Sequence, residues 1–549
     1  MNLIDQITHS YSTFLSSTFG ISSELARSAS FTLNTDENKR EFGDLNSNAA
    51  MTLARTLKRN PKQIAQEIIE QFKHPAIERM DIAGAGFINA TITQQGWIDL
   101  ARDMADANSS FFKYQLAQPQ TINIEFVSAN PTGPLHFGHG RSGIIGDVLG
   151  NILAFLGHDV TKEFYINDAG NQIQKLGQSF KIRCMQQLGS AVELPEDGYH
   201  GEYLIDLAQE AIAEYGAQIA TNDEQFFSNY AKDILLDRIK QTLIHYGITF
   251  DQWFSEKRLH VGGAIDDAVR ILTQRGHTFE HDGALWFRAT TFGDDKDRVI
   301  RKSTGEWTYV AADIAYLMNK IERGANPIMM VLGHDHHSYA TRLESIRKAL
   351  GYDTITLDII LYQLVRMKNE GELVKLSKRA GTMITLDDVI SAVGKDVARF
   401  FYLHRKADAH LEFDLELARK KTDENPVYYI QYAYVRICSI LAKASQAEEY
   451  NTISAVDLAG LTSDDTALLK KIASLKQLLA EIATNQQSHL LSYYVIELAD
   501  LYHSYYAKHR IIDLANPAQS RSRLMLMQLL KQTFKTCFDL LGISSPESM

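Results

Sequence analysis

The sequence predicts an α/β protein built around a parallel sheet, preceded by a small α+β unit and followed by an all-helical region. Three observations carry this prediction. From Thr121 onward, alternating apolar segments are separated by a Gly/Pro loop and a long apolar-periodic helix, the strand–helix–strand order of a parallel sheet. Up to about Ser110, short helical and strand-like patterns mix around glycine turns. Beyond about Leu386 nearly every stretch has helical period, interrupted only by Pro426, Pro517 and Pro546. The 549 residues suffice for three or four domains. Their boundaries are expected at 1–110, at 115–400 with a helical insertion near 180–255, and at 401–549.

The elements follow in chain order. Residues 44–57 open on Asp44 and place Ala50, Leu53, Ala54 and Leu57 on one helical face. Asn60 and Pro61 stop the chain and restart it as a helix through Phe72, with Pro61 in the first turn. Gly84 and Gly86 mark a turn entering a strand that runs to Ile92. Polar residues 115–120 read as a linker. Ile122, Ile124 and Phe126 alternate with Asn123, Glu125 and Val127 as a strand. A loop with Pro131, Gly133 and Pro134 precedes a helix over 137–156, a strand over 160–166 and a helix from Asn171. Residues 179–254 read as a mainly helical insertion of mixed charge, and strands return at 328–332 and 355–364.

Composition narrows the class. At 45% hydrophobic and 22% charged the chain is an ordinary globular protein, which excludes disordered and collagen-like readings. With 56 Lys+Arg against 67 Asp+Glu the net charge is −11, so a uniformly basic nucleic-acid coat is excluded while a local basic face is not. Cys184, Cys438 and Cys537 lie far apart and suggest neither a disulfide framework nor a paired-cysteine zinc site. The longest apolar runs, such as 328–332, fall short of the ~20 residues a membrane helix needs. Residues 1–20 carry Asp5 and hydroxyls without a basic start or apolar middle, so no signal peptide is expected there. The expectation is a soluble protein of a reducing compartment.

Two segments are candidates for chemistry. In the first, residues 131–140, His136 and His139 stand three apart at a helix start, beside backbone N–H groups and the positive end of the helix dipole. That suits phosphate binding. Gly138, without a side chain, would let a flat base or ribose approach, and Pro134 sits in the same loop. A zinc pair and two surface histidines are the other readings, although the flanks offer no obvious third metal ligand. In the second, Lys375, Lys378 and Arg379 with Ser377 lie between Gly371 and Gly381, which suits a mobile clamp on phosphates or, equally, a solvated charged loop.

Taken together, His136-x-Gly138-His139 after the first strand and Lys375-x-Ser377-Lys378 about 240 residues later resemble the paired signatures of class I aminoacyl-tRNA synthetases. Further segments narrow the resemblance to the arginyl-tRNA synthetase family: 124–136, 165–173, 308–316, 425–437, and in the N-terminal unit 42–48 and 84–89. It covers essentially the whole chain. It implies a Rossmann-like catalytic domain, an additional N-terminal domain that contacts tRNA and a helical anticodon-binding domain. It implies an ATP site at Pro134, His136, Gly138, His139, Ser377 and Lys378, with His136, His139, Lys375 and Lys378 as catalytic residues. It places Glu125, Tyr309, Asp313 and Asp335 around an arginine guanidinium, with Asn130 and His136 at the α-ammonium and α-carboxylate end. A guanidinium wants such acceptors, because it presents five donors in a planar fork. The implied partners are tRNA for arginine, L-arginine and ATP with Mg²⁺, in a cytoplasmic monomer without zinc or other resident metal. His334, Asp335, His336 and His337 tempt a metal assignment, but adjacent residues rarely converge on one ion. Another class I synthetase and a non-catalytic tRNA-binding paralogue are the alternatives. Tyr428, Tyr429, Tyr432 and Tyr434 stand at helical spacing, and such a stripe is more often core than stacking surface.

Overall fold

The computed structural model describes residues 2–35, 41–114, 116, 118–373, 384–450, 458 and 460–549. Its centre is a five-stranded parallel sheet in the spatial order Leu357–Tyr362, Ile328–Gly333, Thr121–Glu125, Asp159–Ile166, Gln252–Ser255. The chain builds outward from Thr121–Glu125 on one side and later returns to its other side. The order therefore reverses between Thr121–Glu125 and Ile328–Gly333, and ligands of such sheets bind in the crevice beyond the carboxyl ends at that reversal.

The helix His139–Leu156 follows the first strand and is buried along most of its length. Glycines let it lie this close to the sheet: a Cβ on Gly146 would stand 2.3 Å from the Phe126 ring. Ile144, Val148, Leu149 and Ile152 on this helix are almost wholly out of water, each contributing about 1.5–3 kcal/mol.

The N-terminal unit is α+β. Its four-stranded antiparallel sheet has the order Thr32–Leu33, Leu45–Ser47, Phe87–Ile92, Ile77–Ala83. The pattern at 44–57 predicts one helix, but the chain forms the strand Leu45–Ser47 and only then the helix Ala49–Leu57. Asp44 explains the change, because its carboxylate accepts the Ile92 N–H (2.8 Å) across the sheet instead of capping a helix. The C-terminal region packs four long helices, Pro426–Ala444, Ser463–Asn485, Leu490–Lys508 and Pro517–Leu541. Lys470 with Asp44 and Lys476 with Asp5, at 2.7 and 2.6 Å, join it to the N-terminal unit.

Five short strands depart from the helical or unassigned readings. Gln252–Ser255, inside the span read as a helical insertion, is the edge strand of the central sheet. Leu411–Asp414, in the region read as helical, pairs in parallel with Val365–Asn369. Thr278–His281, Ala284–Phe287 and Arg298–Arg301 form a separate antiparallel sheet for which the sequence pattern made no prediction. Each of these strands is only four residues long, too short for alternation to stand out. Among the described residues no helix is long and apolar enough to cross a membrane.

Candidate active site

The chain leaves the first strand through a strained turn. Val127 and Ser128 have φ of 66° and 42°, a region that non-glycine residues occupy only when their surroundings hold them there. The Val127 N–H donates to Ser142 Oγ (3.0 Å). Ser128 Oγ donates to Glu125 Oε1 (2.9 Å) and accepts the Tyr165 N–H (3.1 Å) from the neighbouring strand. The turn thus throws residues 129–138 across the carboxyl ends of the sheet, with Asn130 exposed and Pro134 half-buried.

His136 and His139 follow, with Gly138 before the helix proper. The backbone N–H groups expected to face a phosphate are already used. The N–H of His136 donates to His139 Nδ1 (3.0 Å), and that of Gly138 donates to His136 Nδ1 (3.1 Å). The N–H groups of His139 and Gly140 donate to the carbonyls of His136 and Phe137. The imidazoles therefore replace the amides as the outward donors. With Nδ1 of each ring accepting, the neutral tautomer carries its proton on Nε2. Burial and the neighbouring His136 bring His139 down to about 4 against the upward pull of its hydrogen bond, so it is neutral near pH 7. Gly138 matters here because a Cβ would stand 3.2 Å from the His136 ring.

Beside this turn lies a buried ionic cluster. Glu125 Oε2 accepts from Lys320 Nζ (2.7 Å) and from the Tyr316 hydroxyl (2.9 Å). Lys320 also donates to Asn123 Oδ1 (2.7 Å), and Asn123 in turn donates to Glu163 (2.9 Å). Glu163 further takes Arg323 (2.7 Å) and the Tyr316 hydroxyl. Although burial alone would raise it, Lys320, Tyr316 and Arg323 hold the Glu163 carboxyl below its ordinary range. Glu125 has thus spent three of its roughly four acceptor positions inside the protein.

Asp313 is different. Its Oδ1 accepts the Tyr339 hydroxyl (2.9 Å). Its Oδ2 is buried and has no hydrogen-bond donor among the described residues, although Arg342 Nη1 stands 3.5 Å away. Burial pushes this carboxyl up to about 6, against the pull of Tyr339 and Arg342. Glu256, also buried, is raised by burial too, and it touches Tyr165 and His260. The buried carboxylates Glu125 and Glu163 and the half-buried Asp313 thus meet three cations, Lys320, Arg323 and Arg342, while the buried Glu256 meets His260. Asn167 Oδ1 and Gln172 Oε1, after the second strand, are further buried acceptors without a donor among the described residues. The unpaired acceptors here are of the kind a planar fork of donors satisfies.

The remaining sequence-predicted residues are placed unevenly. Tyr309 opens the helix Tyr309–Glu322, one turn before Asp313; it is exposed, with its hydroxyl over the Gly170 turn. Asp335 sits in a short turn of helix after Ile328–Gly333; it is largely exposed, folds back over Gly333 and lies near Tyr362. Its neighbours His334, His336 and His337 are exposed, and among the described residues no group of three or more His, Cys, Asp or Glu is arranged to hold a metal ion. Lys375, Ser377 and Lys378 lie outside the described residues. Sequence reasoning missed Tyr339, Lys320 and Glu256. Lys320 had a signal, as a lone cation in the apolar run 310–321, whereas Tyr339 and Glu256 had none before the fold joined them to Asp313.

The chain is similar to known proteins along nearly its whole length. Residues 6–92 match the arginyl tRNA synthetase N terminal domain, 104–406 the class I (R) tRNA synthetase catalytic domain, and 430–549 the DALR anticodon binding domain. The chain is 42% identical over 519 residues to the arginine–tRNA ligase of Anoxybacillus flavithermus and 41% identical to that of Bacillus subtilis. Each alignment covers 93% of both chains. Its fold is similar to the arginyl-tRNA synthetase of Thermus thermophilus, with a TM-score of 0.75 at 20% identity over 99% of this chain and all of that one. The Plasmodium falciparum enzyme gives a TM-score of 0.77 at 19% identity over all of both chains.

Proposed function

The chain belongs to the arginyl-tRNA synthetase family of class I aminoacyl-tRNA synthetases, and from that membership we propose how its own residues join arginine to tRNA. The reaction has two steps. The arginine carboxylate attacks the α-phosphorus of ATP, giving arginyl-adenylate and pyrophosphate. The ribose 2′-OH of the terminal adenosine of the tRNA then attacks the adenylate carbonyl, releasing AMP. No side-chain nucleophile is needed, so catalysis rests on positioning and on stabilising charge. His136 and His139 donate from Nε2 to the phosphates, and Lys375 and Lys378 balance the charge that passes to pyrophosphate. Mg²⁺ enters with ATP, as it does where phosphates supply most of its ligands.

The observation that carries the arginine assignment is Asp313 Oδ2, buried and, apart from Arg342 at 3.5 Å, without a donor among the described residues. The guanidinium fork satisfies it, with Glu125, Tyr309 and Asp335 around the rest and with Asn130 and His136 at the α end. Lysine lacks the fork and leaves acceptors unpaired, at about 1–3 kcal/mol for each buried group. The units 1–110 and 401–549 hold tRNA on either side of a catalytic unit at 115–400, in a cytoplasmic monomer. ATP–pyrophosphate exchange tests this reading with arginine, lysine and cysteine, each with and without tRNA for arginine. Exchange confined to arginine is expected, and exchange with lysine or cysteine would overturn the pocket.

Two further results follow. His139→Ala should lower kcat of exchange by roughly 100- to 1,000-fold and leave KM for arginine nearly unchanged. On the pH axis, ionised Asp313 is the form that receives a guanidinium. Its carboxyl sits near 6 in the free protein, so kcat/KM for arginine should be full above that pH and fall as pH drops through it. Stability moves the other way. A carboxyl raised from 3.8 to about 6 costs folding free energy above pH 6, and that cost fades as pH falls toward 4. His139, already neutral with its pKa near 4, contributes no limb near 6. An acid limb that persists unchanged in Asp313→Asn would exclude this assignment.

A further inference from the structure

Arg141 stands two residues beyond His139, in the first turn of the helix His139–Leu156, and is wholly buried. Its Nη1 donates to the carbonyls of Gln363 (2.7 Å) and Ala409 (2.8 Å), and its Nη2 to that of Lys406 (2.8 Å). No carboxylate among the described residues pairs with it. Burying a cation on carbonyls alone is expensive, and an apolar side chain of like volume would be easier to bury. Only a planar fork, however, reaches three carbonyls on two separate segments from one side chain.

Those two segments are the roots of a parallel strand pair. Gln363 precedes Val365–Asn369, the strand that leads toward residue 374, and Lys406 and Ala409 precede its partner Leu411–Asp414. The far stem, Ile384–Leu386, is also tied to the histidine turn. The Phe137 N–H donates to the Ile384 carbonyl (3.1 Å), the Leu386 N–H donates to the Leu135 carbonyl (2.8 Å), and His136 bridges Thr385. The Tyr402 hydroxyl donates to the Phe137 carbonyl (2.7 Å), and its ring lies where a Cβ on Gly140 would go. Hydrogen bonds thus run from the His136–His139 turn to segments on both sides of residues 374–383, and Arg141 supplies those on one side.

We propose that Arg141 is a positioning residue, holding the His136–His139 turn in register with the strand pair rooted at Gln363 and Ala409. This rests on the reading of that turn as the phosphate site. The test uses full-length Arg141→Met, Arg141→Lys and His139→Ala. Each is measured by active-site titration of adenylate formation and by ATP–pyrophosphate exchange with arginine and its tRNA, alongside the thermal midpoint. Arg141→Met should lose roughly 100-fold in kcat per active site, the scale set by an ångström of misplacement. KM for arginine should barely move, while the thermal midpoint should fall because the three carbonyls lose this donor, and the active-site titration corrects the rate for that loss. Arg141→Lys should recover part of that loss, because an ammonium reaches some of the carbonyls but not all three. Full kcat per active site in Arg141→Met, or a loss matched by a lost active fraction, overturns the proposal. Should Arg141→Met fail to fold, Arg141→Lys decides by the same comparison. An inactive His139→Ala with both Arg141 variants at full rate sinks the positioning role alone, whereas an active His139→Ala sinks the reading of the turn itself.

Discussion

Asp313→Asn should abolish arginine recognition while leaving the fold intact. The amide oxygen still accepts the Tyr339 hydroxyl, so the hydrogen bond to Oδ1 survives. What disappears is the charge on a buried carboxylate whose second oxygen has no donor among the described residues. Removing one side of a buried, hydrogen-bonded charge pair costs ~4 kcal/mol, about a thousandfold in kcat/KM for arginine at 1.4 kcal/mol per tenfold. The thermal midpoint should hold or rise slightly, because an asparagine carries no desolvated charge there. Exchange kinetics over a range of arginine concentrations give the answer. A loss below about tenfold would mean that Glu125 and Glu256 carry the guanidinium without Asp313.

Much of this site was legible before folding because its chemistry is local in the chain. His136 and His139 are three residues apart, and Glu125 ends the strand that leads to them. Asp313 stands out as a carboxylate among Ala311, Ala312, Ile314 and Ala315. What the chain order conceals is where each polar group spends its hydrogen bonds. The amides around His136 looked open in sequence, yet the two imidazole Nδ1 atoms take two of them. Glu125 looked like a free acceptor, yet Lys320 and Tyr316, about 190 residues later, occupy it. Glu256 drew no reading, because the strand before it, Gln252–Ser255, is only four residues long, lies at the sheet edge and fell within the span read as a helical insertion. Pairings over such separations leave no periodic trace, so the parallel sheet and the histidine turn could be anticipated while the ionic cluster between them could not.

Lys320 is where that cluster is most vulnerable. It is almost fully buried, and it lies 2.7 Å from Glu125 and 3.7 Å from Glu163. Lys320→Met preserves the length and bulk of the side chain and removes only the charge and its donors. Glu163 keeps Arg323, but Glu125 is left with the hydroxyls of Ser128 and Tyr316 and no cation in contact. Breaking a buried pair this way costs about 3–5 kcal/mol, a large share of the roughly 5–15 kcal/mol that holds a domain. The sign with pH follows from Glu163. Its carboxyl is held below the ordinary value by Lys320, Tyr316 and Arg323 against the effect of burial, so its contribution to stability is present above the unfolded value near 4.5 and is lost as pH falls through the lower folded value. Without Lys320 that contribution shrinks, and Glu163 protonates at higher pH. The gap between wild type and variant should therefore be widest near pH 7 and narrow toward pH 4, as read from urea midpoints at the two pH values. An equal gap at both would show that Lys320 acts by packing alone. The same variant separates fold from recognition: if Glu125 holds arginine through its remaining lone pair, kcat/KM for arginine should suffer less than in Asp313→Asn even though the protein is far less stable.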